Sequence, residues 1–80
     1  MISKEEIKEI IEIALDKELD DFGLNFNIYS DLGLDSMGAV VMIVEIQRRT
    51  GIKVPDTEIK NLLTPQDILE FLSKNHSNEI

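Results

Sequence analysis

The chain has 80 residues, a formal net charge of −8 and a hydrophobic content of 42%. That length suits one small domain with a single core, and the hydrophobic content argues against a wholly disordered chain. The charge argues against nucleic acid or an anionic membrane as a partner, because both would be repelled. The sequence has no cysteine, which excludes disulfides and thiolate metal sites. No apolar segment is long enough for membrane insertion, so we expect a cytoplasmic protein.

The first predicted helix begins at an S-x-x-E capping box in residues 3–6. Apolar residues then recur at helical spacing as far as Leu15, and the pattern fades between residues 16 and 19. A long segment up to Leu34 follows, which is rich in Gly, Asn and Asp but also carries Leu, Ile and Phe. A loop of this length is uncommon unless it is functional or packed by its own side chains. We therefore expect its apolar residues to lie across the core.

The second predicted helix runs from Ser36 to Thr50. Either Asp35 or Ser36 can be its N-cap, and Gly51 is a typical residue at a helix C-terminus. The β-branched cluster VVMIV could instead form a buried strand. The length of the segment and both end signals favour the helix.

Two further helices are predicted in the last third of the chain. A short one follows Pro55 and ends near Leu63, and a final one is capped at Thr64 and Pro65. The predicted fold class is therefore all-α, a small four-helix bundle of three main helices and one short helix, with a long loop between helices 1 and 2. We expect one folded domain in residues 1–73 and a polar C-terminal tail in residues 74–80.

The second helix has two apolar faces at 100° per residue. The expected core side consists of Ala39, Met42, Ile43, Ile46 and Thr50. The other side, called the open face below, consists of Met37, Val40, Val41 and Val44, with Arg48 at its edge. Because so small a domain cannot easily bury both sides of one helix, we expect the open face to dock partners. The alternative is that the long loop covers it.

Ser36 lies at the N-terminal end of the open face, and its hydroxyl has two possible roles. It can belong to an ordinary helix cap, or it can be esterified to a phosphate that lies at the positive end of the helix dipole. A serine hydrolase is excluded, because the single histidine, His76, lies in the polar tail and is expected to be solvated there. We expect no catalytic residue and no metal site, since D-L-G-L-D lacks the ligand spacing of a calcium loop.

The stretch D-L-G-L-D-S-M-G-A-V around Ser36 resembles the attachment-site motif of acyl carrier proteins. The downstream segments R-R-T-G-I-K-V-P-D and L-T-P-Q-D-I-L-E-F-L also resemble that family, so the resemblance extends from the first helix to about Leu72. It implies a carrier rather than an enzyme. In such a carrier, 4′-phosphopantetheine would be attached covalently to Ser36, and Asp35 would help to start the helix and present the site.

The resemblance also implies the partners. A phosphopantetheinyl transferase would use coenzyme A as the donor of the arm, and the arm's thiol would then hold an acyl group as a thioester. Acyltransferases, ketosynthases or related synthase enzymes would load and use this cargo, which such carriers can shelter between their helices. We expect no nucleic acid partner and no membrane insertion, and we expect a monomer.

Two departures from the family pattern bear on the subclass. Met37 stands where leucine is usual. Fatty-acid-synthesis carriers typically place acids on the docking side of the second helix, where this chain has Val41, Val44, Gln47 and Arg48. Arg48 with Arg49 would weaken docking to basic enzyme patches, which favours a carrier of polyketide or related secondary-metabolite intermediates. A fatty-acid carrier and an aminoacyl (peptidyl) carrier are alternatives within the family, and an unmodified helical protein-interaction module is the alternative outside it.

Overall fold

The computed structural model describes residues 2–76, and that range contains helices and no strand. The four helices are α1 (Lys4–Leu15), α2 (Ser36–Thr50), α3 (Asp56–Ile59) and α4 (Pro65–His76). Helix α1 packs against both α2 and α4. The predicted all-α bundle of three main helices and one short helix is confirmed. Of the predicted polar tail, residues 74–76 form the end of α4, while residues 77–80 and the side chain of His76 lie outside the described part.

Helix α1 begins and ends at local hydrogen bonds that the sequence encodes. The Ser3 hydroxyl accepts a bond from the N–H of Glu6 at 3.2 Å. At the other end Asp16 adopts the left-handed conformation, with φ of 57°, and its N–H donates to the last turn of the helix. The carboxylate of Glu12 then accepts the N–H of Leu19 at 2.8 Å, which draws the start of the long loop back along α1. The helix therefore stops where its apolar pattern fades.

Helix α2 has the bounds that its end signals predict. Of the two candidate caps, Asp35 takes the role, because its carboxylate accepts the N–H of Gly38 at 2.7 Å. At the other end Gly51 has φ of 73° and donates its N–H to the carbonyl of Gln47 at 2.8 Å. Gly38 also permits close approach to α1, since a Cβ there would lie 3.2 Å from the carbonyl oxygen of Ala14. The start of α2 is thereby held against the end of α1.

The core side of α2 is the one that the periodicity predicts. Its members Ala39, Met42, Ile43 and Ile46 are buried, and Thr50 is half-buried. The long loop covers another side of the core, with Ile28, Leu32 and Leu34 buried and Phe22 and Phe26 packed against them. The expectation that this loop lies across the core is therefore confirmed.

The short helix α3 is shorter than the sequence predicted. It ends at Ile59 instead of near Leu63. Beyond Ile59 the N–H groups of Asn61 and Leu62 donate only three residues back, and the N–H of Leu63 donates to the carboxylate of Asp67 at 3.0 Å, so the helix ladder stops. The carbonyl of Leu63 accepts the N–H of Ile28 at 2.9 Å, which ties this turn to the long loop. Helix α4 then starts from a reciprocal cap, in which Thr64 accepts the N–H of Asp67 and Asp67 accepts the N–H of Thr64, each at 3.1 Å.

Candidate functional site

Ser36 is the first residue of α2 and is exposed to solvent. Its hydroxyl makes no hydrogen bond to another residue of the described range 2–76. The cap at Asp35 takes the N–H of Gly38, which leaves the N–H groups of Ser36 and Met37 without an acceptor inside α2. A free hydroxyl at a helix N-terminus is accessible for esterification, and the helix dipole favours a phosphate there. The residues present therefore fit a phosphate-linked arm.

A groove of about 520 Å³ opens beside Ser36, between α2 and α3. Its walls are mostly apolar and come from α2, the long loop and the segment around α3; they consist of Tyr29, Ser36, Ala39, Val40, Ile43, Val44, Gln47, Val54, Asp56 and Ile59. Burial against this wall raises the pKa of the Tyr29 phenol above its ordinary value. Four of these residues carry no local sequence signal, because tertiary packing brings them to the groove: Tyr29, Val54, Asp56 and Ile59.

The open face of α2 is exposed, as predicted, and the long loop does not cover it. The exposed fractions are 78% for Met37, 63% for Val40, 43% for Val41 and 54% for Val44. The groove divides this set, since Val40 and Val44 line it whereas Met37, Val41 and Arg48 lie outside it. An apolar surface of this kind, next to a modifiable hydroxyl, suits contact with other proteins.

The two arginines at the end of α2 have different surroundings. The Arg49 side chain is only 18% exposed and turns towards α1, where it contacts Glu9 at 2.8 Å. It also contacts Glu45 of its own helix at 2.9 Å. Arg48 remains at the edge of the open face and bonds to the same carboxylate of Glu45. Arg49 therefore joins α1 to α2, and the charge of Arg48 is partly compensated.

Glu45 is the centre of this network, and it gives the fold a pH-dependent element. Hydrogen bonds from Arg48 and then from Arg49 lower the pKa of its carboxyl from 4.5 to about 2. Because the folded-state pKa is the lower one, the stabilisation is complete above about pH 4.5 and is lost as the pH falls towards about 2.

We expect Glu45→Gln to lower Tm at neutral pH and to flatten the fall in Tm between pH 4.5 and about 2. Thermal melts across that range, followed by circular dichroism, would measure both effects. The control is Glu18→Gln, which makes the same charge change at an exposed residue and should keep the wild-type slope. Equal slopes for the two variants would show that the Glu45 network contributes nothing to acid stability.

Within residues 2–76 no three His, Cys, Asp or Glu side chains are grouped so that they could hold a metal ion. None of the helices in that range has the length and apolar character needed to cross a membrane.

Comparison with known proteins gives the family. The family model described as the phosphopantetheine attachment site matches residues 5–72, which include Ser36 and all four helices except the edges of α1 and α4. The chain belongs to the acyl carrier protein family. A relative named acyl carrier protein, from Aster yellows witches'-broom phytoplasma, is 33% identical over 73 residues, which cover 91% of this chain and 96% of its own.

Two further relatives named acyl carrier protein agree with this assignment. Those of Myxococcus xanthus and Micrococcus luteus are each 33% identical over 76 residues, covering 90% of this chain and 96% and 94% of their own lengths. The cofactor of this acyl carrier protein is 4′-phosphopantetheine. Members of the family carry acyl groups rather than catalyse reactions, and they interact with synthase enzymes and a phosphopantetheinyl transferase.

Proposed function

We propose that Ser36 is the attachment residue and that this acyl carrier protein holds acyl intermediates as thioesters on the arm. A phosphopantetheinyl transferase moves 4′-phosphopantetheine from coenzyme A to the Ser36 oxygen, and Asp35 keeps the start of α2 in place for it. The observation that carries the proposal is the exposed, unbonded Ser36 hydroxyl at the first residue of α2, inside the matched segment. The chain has no cysteine, so the thiol arrives with the cofactor.

The attachment residue can be located directly. The protein is incubated with a broad-specificity transferase and coenzyme A whose pantetheine is isotopically labelled, then digested with trypsin and fragmented in a mass spectrometer. We expect all of the label on Ser36. Ser30 is the internal control, because it is also exposed and lies in the same tryptic segment, residues 18–48. Label on Ser30, or on any serine other than Ser36, would refute the assignment.

The groove beside Ser36 supports a sheltering role for part of the cargo. Its floor contains Ala39 and Ile43 of the core side, and Ile59 of α3 lies in its wall. An acyl chain that left the solvent for this surface would gain roughly 25 cal/mol for each Å² of apolar area buried. Helix α3 is four residues long and has no fully buried residue, so it can adjust to the cargo at low cost.

The open face supports docking to the transferase and to synthase enzymes. Substitution Val41→Glu should change stability by less than about 0.5 kcal/mol, because the side chain is already partly solvated. It should slow loading by a broad-specificity transferase roughly tenfold, since a charge would enter an apolar contact. Loading kinetics and a thermal melt would measure the two effects.

The matched control for this docking variant is Ile13→Glu. Ile13 is 47% exposed on α1, away from the open face, so it should leave the loading rate unchanged. Equal loading rates for the two variants would show that Val41 has no role in docking the transferase. A large drop in the Tm of Val41→Glu would mean that the face is buried.

For the cargo, we infer polyketide or related secondary-metabolite intermediates. The support is the composition of the open face, which is apolar at four positions, while Glu45, the one acid within α2, is bonded to Arg48 and Arg49. The test compares transfer of an acyl group from the loaded carrier to a polyketide-type and to a fatty-acid-type ketosynthase. Faster transfer to the polyketide enzyme is expected, and the reverse would assign the carrier to fatty acid synthesis.

The monomeric state, the cytoplasmic location and the limits of the carrier domain at residues 1–73 stay predictions.

A further inference from the structure

The two methionines of α2 have opposite environments, although they are five residues apart. Met37 is 78% exposed, whereas Met42 is fully buried in the core. Met1 is the third methionine of the chain and lies outside the described residues. Peroxides dissolved in water can therefore reach the thioether of Met37 directly, while the sulfur of Met42 becomes accessible only when the core opens.

We propose that Met37 is a site of reversible oxidation by hydroperoxides and that its sulfoxide slows the loading of Ser36. In the reaction one oxygen atom passes from the hydroperoxide to the Met37 sulfur and forms an S–O bond. The thioether is oxidised by two electrons to the sulfoxide, and the hydroperoxide is reduced to water or an alcohol. Methionine sulfoxide reductases catalyse the reverse step, in which a dithiol is oxidised to a disulfide, the sulfoxide returns to the thioether and the oxygen leaves as water. The effect on loading rests on the proposed role of Ser36.

The position of Met37 connects its oxidation to the attachment site. Met37 follows Ser36 directly in the first turn of α2, and it shares the open face with Val40, Val41 and Val44. A transferase that covers the exposed start of α2 around the Ser36 hydroxyl would therefore contact the Met37 side chain. The sulfoxide is polar and chiral, where the thioether is apolar and flexible, so a contact that accepts methionine must desolvate a polar group once the sulfur is oxidised.

The fold should survive this change at Met37. The side chain lies outside the hydrophobic core, and its sulfoxide would remain in water. Oxidation at Met42 would instead place the same polar group among buried side chains and destabilise the domain. A loss of loading with unchanged helicity therefore distinguishes oxidation at Met37 from general damage.

The first measurement is a map of oxidation. The folded protein is treated with hydrogen peroxide for increasing times, the peroxide is removed with catalase, and the tryptic segment 18–48 is fragmented to separate Met37 from Met42. We expect Met37 to gain one oxygen at least about tenfold faster than Met42. Equal rates at the two residues, or no oxygen at Met37, would overturn the proposed site.

The second measurement is loading by a broad-specificity transferase with coenzyme A after the same treatment. We expect the loading rate of the oxidised wild-type protein to fall roughly tenfold and to return after incubation with methionine sulfoxide reductases and a dithiol reductant. Each variant is compared with its own rate before treatment. Met37→Leu should keep that rate, and Met42→Leu, a volume-conserving core change, should lose it as the wild type does.

Two results would overturn the effect on loading. One is an unchanged rate in wild-type protein whose Met37 is fully oxidised, and the other is an equal fall in Met37→Leu. Failure of the untreated protein to be loaded at all is a different result. It would refute the proposed attachment and the effect on loading together, while the oxidation map would still decide whether Met37 is the oxidised residue.

Discussion

Met42→Ala is expected to lower the free energy of unfolding by roughly 2 to 5 kcal/mol. Met42 is fully buried in the core side of α2, so truncation to alanine removes apolar contacts and leaves a cavity that the packed helices can fill only in part. In a domain of this size such a loss corresponds to a drop in Tm of roughly 10 °C or more. Ile46, only 1% exposed on the same side, should respond to alanine in the same range.

Urea denaturation followed by circular dichroism would measure this loss. The matched control is Val41→Ala, one residue away on the open face and 43% exposed, which should cost less than about 1 kcal/mol. A larger loss at Val41 than at Met42 would mean that the two faces of α2 are assigned the wrong way round, and equal losses would mean that the two faces are equally buried.

Ser36→Ala is expected to abolish attachment of phosphopantetheine while the helices stay intact. The hydroxyl oxygen is the atom that would be esterified, so its removal leaves nothing to modify. The fold should persist because Asp35, and not Ser36, accepts the N–H of Gly38 at the cap. We expect Ser36→Ala to cost less than about 1 kcal/mol, and Asp35→Ala to cost about 1 kcal/mol through loss of the cap.

Label incorporation and a circular dichroism melt on the same samples separate these effects. Ser30→Ala is the control, since it removes an exposed serine of the long loop and should be loaded like the wild type. Residual loading of Ser36→Ala would show that another residue carries the arm. An unfolded Ser36→Ala variant would mean that the serine supports the start of α2.

Local signals were sufficient to predict most of the fold around Ser36. Asp35 and Gly51 define the ends of α2 through a cap and a left-handed glycine, which are short-range features. The two faces of α2 follow from the helical period alone, and burial agrees with it residue by residue. Helix α3 was predicted too long, because the N–H of Leu63 bonds to the carboxylate of Asp67 at the start of α4 and the local pattern of α3 does not show that competition.

The walls of the groove and the network at Arg49 could not be predicted from the sequence, because both depend on tertiary packing. Arg49 bonds to Glu9 only because α1 packs against α2 with a particular rotation. Nothing in the residues near Arg49 specifies that rotation. Tyr29 and Ile59 likewise line the same groove because of tertiary packing. Sequence therefore predicted which face of α2 would be open, but not which residues would surround Ser36 in the groove.

The most direct test of the attachment at Ser36 is the intact mass of the folded, unmodified protein before and after incubation with coenzyme A and a broad-specificity phosphopantetheinyl transferase. A gain of one phosphopantetheinyl group per chain in the wild type, with none in Ser36→Ala, is the predicted result. No gain in folded wild-type protein, or the same gain in both proteins, would contradict it.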